Sequence, residues 1–179
     1  MQPQTILDFW FSEMTPQQWW EKDAAVDRMI RQRFSEVHAS GTRGELFTWR
    51  TTAAGRLAEI IILDQFSRNM FRDSAQAFAQ DTVALVLAQE AVSQGADKDL
   101  PDAQRSFMYM PYMHSESLAI HEQGVALFSQ KGMEYNLEFE LKHKVIIETF
   151  GRYPHRNVLL GRESTEAEIE FLKQPNSVF

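Results

Sequence analysis

Apolar side chains recur every three or four residues along most of this 179-residue chain, and no stretch keeps the strict alternation of a half-buried strand. The pattern therefore predicts helices throughout. A short one covers 3–11. Thr15 then stands as an N-cap before Pro16 at the first helical position, followed by Trp19 and Trp20. Asp23 caps a longer helix that carries Val26, Ile30, Phe34 and Val37 and stops at Gly41. After a turn over 41–44, Leu46, Phe47 and Trp49 pack ahead of a helix over 52–71. Asp81 caps the next, which carries Val83, Leu87 and Val92 to a stop at Gly95. Leu100, Pro101 and Asp102 open another, which passes Phe107 and ends at Pro111. Ser115 or Ser117 caps a helix bearing Leu118, Val125, Leu127 and Phe128, closed at Lys131-Gly132. Tyr135, Phe139, His143, Ile146 and Phe150 share a stripe of a long helix ending before Gly151. Pro154 starts a short turn, and Ser164-Thr165-Glu166-Ala167-Glu168 supplies a capping box for a last helix with Ile169, Phe171 and Leu172.

Within the 52–71 helix an apolar run turns ionic without leaving the helical phase. At roughly 100° per residue, Leu57, Ile60, Ile61, Asp64, Arg68 and Phe71 share one stripe, while Ile62, Phe66, Asn69 and Met70 cover much of the other side. Such a helix is buried nearly all round. Charges there are costly unless paired or used. Two later segments look alike: His114-Ser115-Glu116 after an aromatic and methionine run, and Arg152-Tyr153-Pro154-His155-Arg156-Asn157 after Phe150. No linker or low-complexity stretch divides the chain. The expected architecture is a single all-α domain over 1–179, a compact bundle of about eight or nine helices. Its core holds Leu57, Ile60, Ile61, Phe66, Phe107, Phe139, Ile146 and Phe150.

Composition narrows the function classes. A formal net charge of −7 disfavours nucleic acid and acidic membrane surfaces, both of which reward a basic face. The absence of cysteine removes thiolate metal sites and cysteine nucleophiles and fits a reducing cytoplasm. The N-terminal residues lack a basic start, with Asp8 breaking their apolar stretch, and no stretch nears the length of a membrane span. Thirteen Phe, four Trp and eight Met provide bulky core filling.

Four ordered motifs carry a resemblance across essentially the whole chain. They are the segments 63–72 (Leu63-Asp64-Gln65-Phe66-Ser67-Arg68-Asn69-Met70-Phe71-Arg72), 107–116, 150–157 and 160–165, with Asp8-Phe9-Trp10-Phe11 near the start. With these the chain resembles an uncharacterised, mostly bacterial family, domain of unknown function nine-two-four. The resemblance implies a compact helical fold of the tetratricopeptide-repeat-like (TPR-like) class and brings no established reaction or ligand. The tetratricopeptide pattern of Trp, Leu-Gly and Tyr over about 34 residues is not visible, and no internal repeat shows. That favours a closed bundle of helix pairs over an open solenoid.

The ionic residues admit two readings each. Asp64 and Arg68, four apart, suit an intrahelical ion pair. Alternatively Arg68 and Arg72 form a fork for a carboxylate or phosphate, with Asp64 steadying one of them. His114 and Glu116 flank Ser115 at a helix start, where they serve the cap and the helix dipole, or His114 acts as a general acid/base oriented by a carboxylate. His143 falls mid-stripe and reads as a satisfied core histidine. Arg152, His155 and Arg156 form the densest basic cluster, suited either to anion binding or to capping and pairing with acids such as Glu163.

Asp64, Arg68, His114, Arg152, His155 and Arg156 are expected to converge. The leading expectation is a cytoplasmic protein whose pocket binds a small anionic metabolite and acts on it chemically if it is an enzyme. Arg68, Arg72, Arg152, Arg156 and Asn157 are then ligand-binding, and His114, Glu116, His155 and Asp64 are the catalytic candidates. The alternatives are a TPR-like protein-interaction module, and a homodimer using surface aromatics such as Trp10, Trp19 or Trp20. No nucleotide loop, dinucleotide fingerprint or zinc-hydrolase histidine pair is present, since His121-Glu122 lacks the second histidine, so no cofactor, metal, nucleic-acid or membrane partner is expected.

Overall fold

The computed structural model describes residues 1–175 and 177. They form nine α-helical segments and no strand: α1 (Pro3–Asp8), α2 (Ala24–Thr42), α3 (Ala53–Ile61), α4 (Ser67–Met70), α5 (Asp81–Ser93), α6 (Asp102–Met113), α7 (Leu118–Phe128), α8 (Glu134–Phe150) and α9 (Glu166–Phe171). The capping chemistry read from the sequence is largely in place. Asp23 accepts from the backbone N–H groups of Ala25 and Val26, and both Thr15 and Thr165 close capping boxes. Gly95 and Gly151 follow α5 and α8 in the left-handed conformation that ends a helix.

α3 and α4 are parts of one rod, joined by a π-helical stretch, Ile62–Phe66. The wider i→i+5 turn inserts an extra residue, so the stripe drawn at constant phase does not run straight through. Burial on every side is nonetheless complete: Leu57, Ala58, Ile60, Ile61, Ile62, Leu63, Asp64 and Phe66 are all solvent-inaccessible. The rod lies between α1, α2, α5 and α6. Phe9, Trp10, Phe34 and Phe66 interlock beside it, with Phe34 and Phe66 stacked at 4.9 Å. Their tilted and edge contacts add to the area they bury. A smaller cluster of Ile146, Ile147 and Tyr153 sits under α8.

The structure corrects several local expectations. α2 runs past Gly41 to Thr42. Pro111 lies inside α6, which loses one backbone donor there and continues for two residues to Met113. Asp81 is the first residue of α5 rather than its cap, and its carboxylate is committed elsewhere. α5 packs through Ala84, Ala88 and Ala91, while Val83 is exposed and Leu87 and Val92 are half-buried. Alanines let α3 and α6 approach closely, which a valine stripe would not. Ser117, at the N-cap of α7, makes no side-chain cap bond. Phe47, Leu118 and Ile169 are exposed. Phe139 and Phe150 are half-buried, the latter against Phe171. Trp10 belongs to the core, so it is unavailable as a surface aromatic.

Candidate functional site

The π-helical stretch delivers Asp64 and Gln65 to the end of α6. The fully buried Asp64 carboxylate accepts from Nδ1 of His114 (2.7 Å) and Nε2 of Gln65 (2.6 Å) and faces Nη1 of Arg68 at 3.1 Å. Burial opposes its ionisation, but Arg68 and His114 outweigh burial and hold its pKa down at about 2. Burial, and then the charge of Arg68, push the His114 imidazole below its ordinary pKa, so the ring is neutral near pH 7. An ionised carboxylate can only accept, so the one ring proton sits on Nδ1 and Nε2 keeps its lone pair. Nε2 has no protein partner among the described residues.

A second tie runs through Asp81. Arg68 donates to it through Nη1 (2.9 Å) and Nη2 (3.0 Å), and Arg156 reaches the same carboxylate through Nη1 at 3.2 Å. The Arg156 guanidinium is buried between the rings of Tyr153 and Phe78, 4.5 and 4.6 Å from their centroids. Burial and the neighbouring Arg68 lower its pKa, from a starting point high enough that it stays a cation. Its Nε and the Nδ1 of His155 are buried without a hydrogen-bond partner. Burial, then Arg156, press the His155 imidazole down to about 4.

Arg68, His114, Tyr153, Phe78, His155 and Arg156 line a cavity of about 450 Å³, within the usual range for small-molecule sites. Arg68, Arg72, Arg156, His114, His143 and His155 contribute polar wall, and Trp19, Trp20, Phe78, Phe139, Met110 and Met113 contribute apolar wall. The structure thus brings Asp64, Arg68, His114, His155 and Arg156 together as expected. Arg72 also lines the cavity, but its Nε and Nη2 are held by Asp27 (2.6 and 2.8 Å), which Asn69 joins at 2.8 Å.

Four expected site residues lie outside the wall: Asp64 sits behind it, against His114 and Arg68, and the other three are held elsewhere. Arg152 is clamped by Glu168 and the Glu163 carbonyl. Glu116 is held by Arg162 and accepts from the Tyr153 N–H. Asn157 is buried between Ser164 and Arg162. Arg152 and Asn157 brace the 151–168 segment internally and Glu116 ties it to the bundle, so Arg152 does not join the other five.

The structure also adds residues the sequence did not single out. Asp81 reads as a cap in the sequence, and nothing local marks it as the anchor of two arginines. Tyr153 and Phe78 sandwich Arg156, while His143, read as core, reaches the cavity and donates from Nδ1 to the Phe139 carbonyl at 2.8 Å. Behind Tyr153, the fully buried pair His121 and Glu140 meet at 2.7 Å. Among the described residues, no group of three or more His, Asp or Glu side chains is disposed to hold a metal ion, and no helix is long and apolar enough to cross a membrane.

An all-helical bundle with an arginine- and histidine-walled cavity defines the class of protein. The chain belongs to the family described as "Bacterial protein of unknown function (DUF924)", whose model matches residues 6–176. A solved relative, "Protein of Unknown Function ATU0120" from Agrobacterium tumefaciens, is 38% identical over 97% of each chain, with a TM-score of 0.91. No curated protein matched.

Proposed function

We propose that this cavity binds a small organic anion, and that His114 moves a proton on it. One observation carries the reading: Arg156 is a buried cation in the cavity wall whose one acceptor, Asp81, is shared with Arg68. Leaving a guanidinium so thinly served inside a protein costs several kcal/mol in effective desolvation unless something else uses it. The orientation of His114 by Asp64 supports the second half, since a neutral imidazole with its Nδ1 proton committed to a carboxylate offers Nε2 as a base. The cysteine-free sequence and acidic net charge support a cytoplasmic setting. Of the surface aromatics a homodimer would use, Trp10 is buried and Trp20 is exposed.

Thermal-shift measurements with a panel of small carboxylates and phosphates test the reading. At 100 times its dissociation constant a ligand adds about 2.7 kcal/mol to stability. The expected result is a rise in melting temperature that a folded Arg156→Ala variant loses. A rise that this variant retains removes the cavity from the argument.

A further inference from the structure

The guanidinium of Arg156 has two faces and three donor edges, and the protein covers most of them. Tyr153 and Phe78 take the faces, and Nη1 is directed to Asp81. What remains is the Nε/Nη2 edge, where Nε is buried without a partner and Nη2 bonds no described residue. Elsewhere in this chain that same edge meets a carboxylate. Arg43 offers it to Glu45, Arg50 to Glu59, Arg72 to Asp27 and Arg152 to Glu168. The planar fork of two parallel N–H groups matches two carboxylate oxygens in both spacing and direction.

Charge decides between a carboxylate and a more highly charged anion. Behind the wall Asp64 and Asp81 supply two negative charges to the two positive ones of Arg68 and Arg156, and on the wall itself Lys22 is offset by Glu21 and Asp73. Arg72 is balanced by Asp27. A dianion would therefore enter a site with little net charge to offset its second unit, whereas a monoanion needs mainly directed donors. Exposure orders the rest of the cavity by depth. Arg156, Met113 and Tyr153 are at most 6% exposed, while Trp20 and Tyr135 are 50% and 63% exposed and so stand at the mouth. Trp20 stacks on Phe107 at 5.8 Å, and Tyr135 lies 4.9 Å from Phe139, so rings from two separate elements frame the opening. Flat apolar walls of that kind suit a flat apolar body.

We infer that the ligand is a monocarboxylate with an aromatic body, its carboxylate on the Nε/Nη2 edge of Arg156 and its ring between Trp20 and the Tyr135–Phe139 pair. The inference rests on the anion-binding reading above and narrows it.

Titration calorimetry at pH 8 with phenylacetate, phenyl phosphate, acetate and benzyl alcohol tests it, on the wild type and on Arg156→Lys and Trp20→Ala, with circular dichroism confirming that each variant is folded. Phenylacetate is expected to bind at least tenfold tighter than acetate and tighter than phenyl phosphate, which is a dianion at that pH. Arg156→Lys keeps the charge and loses the fork, so it should weaken phenylacetate at least tenfold. Trp20→Ala should shrink the margin over acetate. Tighter binding of phenyl phosphate, or equal binding of acetate, overturns the monocarboxylate or the aromatic body while leaving anion binding intact. Binding of benzyl alcohol as tight as phenylacetate, indifference to Arg156→Lys, or no binding by any of the four at millimolar concentration overturns both.

Discussion

Asp81 shows how one carboxylate can hold a site together. Its two oxygens accept from both terminal nitrogens of Arg68 and from Arg156, and its side chain is 17% exposed, so solvent screens little of the attraction. Replacing it with Asn keeps the shape and removes the charge, leaving two close guanidiniums of which only Arg68 keeps a paired carboxylate, Asp64. Breaking a buried pair from one side costs about 3–5 kcal/mol. Urea unfolding of Asp81→Asn should show a loss of that order, and a change under about 1 kcal/mol would mean that the arginines find other partners. The neighbouring histidine gives an independent check. Nitrogen-15 NMR should find His114 as the neutral Nδ1–H tautomer at pH 7, because burial and Arg68 depress its pKa while Asp64 fixes the proton. An imidazolium signal at that pH would remove His114 as a base.

At the scale of helices, close approach matters as much as apolar pattern. Gly55 sits in the first turn of α3, where a Cβ would fall inside the backbone carbonyl oxygen of Trp49 and 2.8 Å from its carbon. Ala is favoured over Gly by about 1 kcal/mol in a helix, so propensity alone says that Gly55→Ala stabilises. The contact is with backbone, which cannot swing aside, and overpacking of this kind costs about 1–3 kcal/mol or more. Chemical denaturation should therefore show net destabilisation, and a stabilised variant would mean that the Phe47–Thr51 turn shifts freely.

The same contrast explains what was legible in the sequence. Helices, caps and the wholly buried 57–66 rod follow from periodicity and from residue types that satisfy free backbone groups. Which face of α5 turns inward does not, because Ala84, Ala88 and Ala91 are weak hydrophobic signals whose advantage lies in their small size. Asp64, Arg68, His114, His155 and Arg156 were readable as charges embedded in apolar runs. Asp81 resembles any helix-start acid, and Glu116 and Arg152 resemble site residues because their partners Arg162 and Glu168 are distant in sequence, while the bonds of Asn157 to nearby Arg162 and Ser164 depend on how the intervening turn folds.

The whole molecule carries an imbalance in its histidines that should appear in its acid stability. Burial lowers the pKa of His38, His114, His143 and His155, with His143 reaching about 3 and His155 about 4. In the unfolded chain these rings take up protons near pH 6.5, whereas in the folded protein they stay neutral well below that. The unfolded state thus binds more protons between about pH 6.5 and 4, and stability falls as the pH drops through that window. Glu140 acts in the opposite sense, because burial raises its pKa and favours its protonated form as pH falls. It is one group against four. Asp64, with its pKa lowered to about 2, adds a further loss only below its ordinary value of 3.8. At pH 5 the deficits of His143 and His155 amount to about 2 kcal/mol each, at about 1.4 kcal/mol per pKa unit. Each kcal/mol moves the melting temperature by about 2–4 °C in a chain of this size. Because one apolar cluster draws on residues from α1 through to Met133, melting is expected as a single transition. Calorimetry should find the melting temperature nearly constant from pH 7.5 to 9 and about 10 °C lower at pH 5, with a smaller deficit in His155→Asn. A flat profile between pH 5 and 7.5 would mean that these imidazoles are not held neutral by the fold.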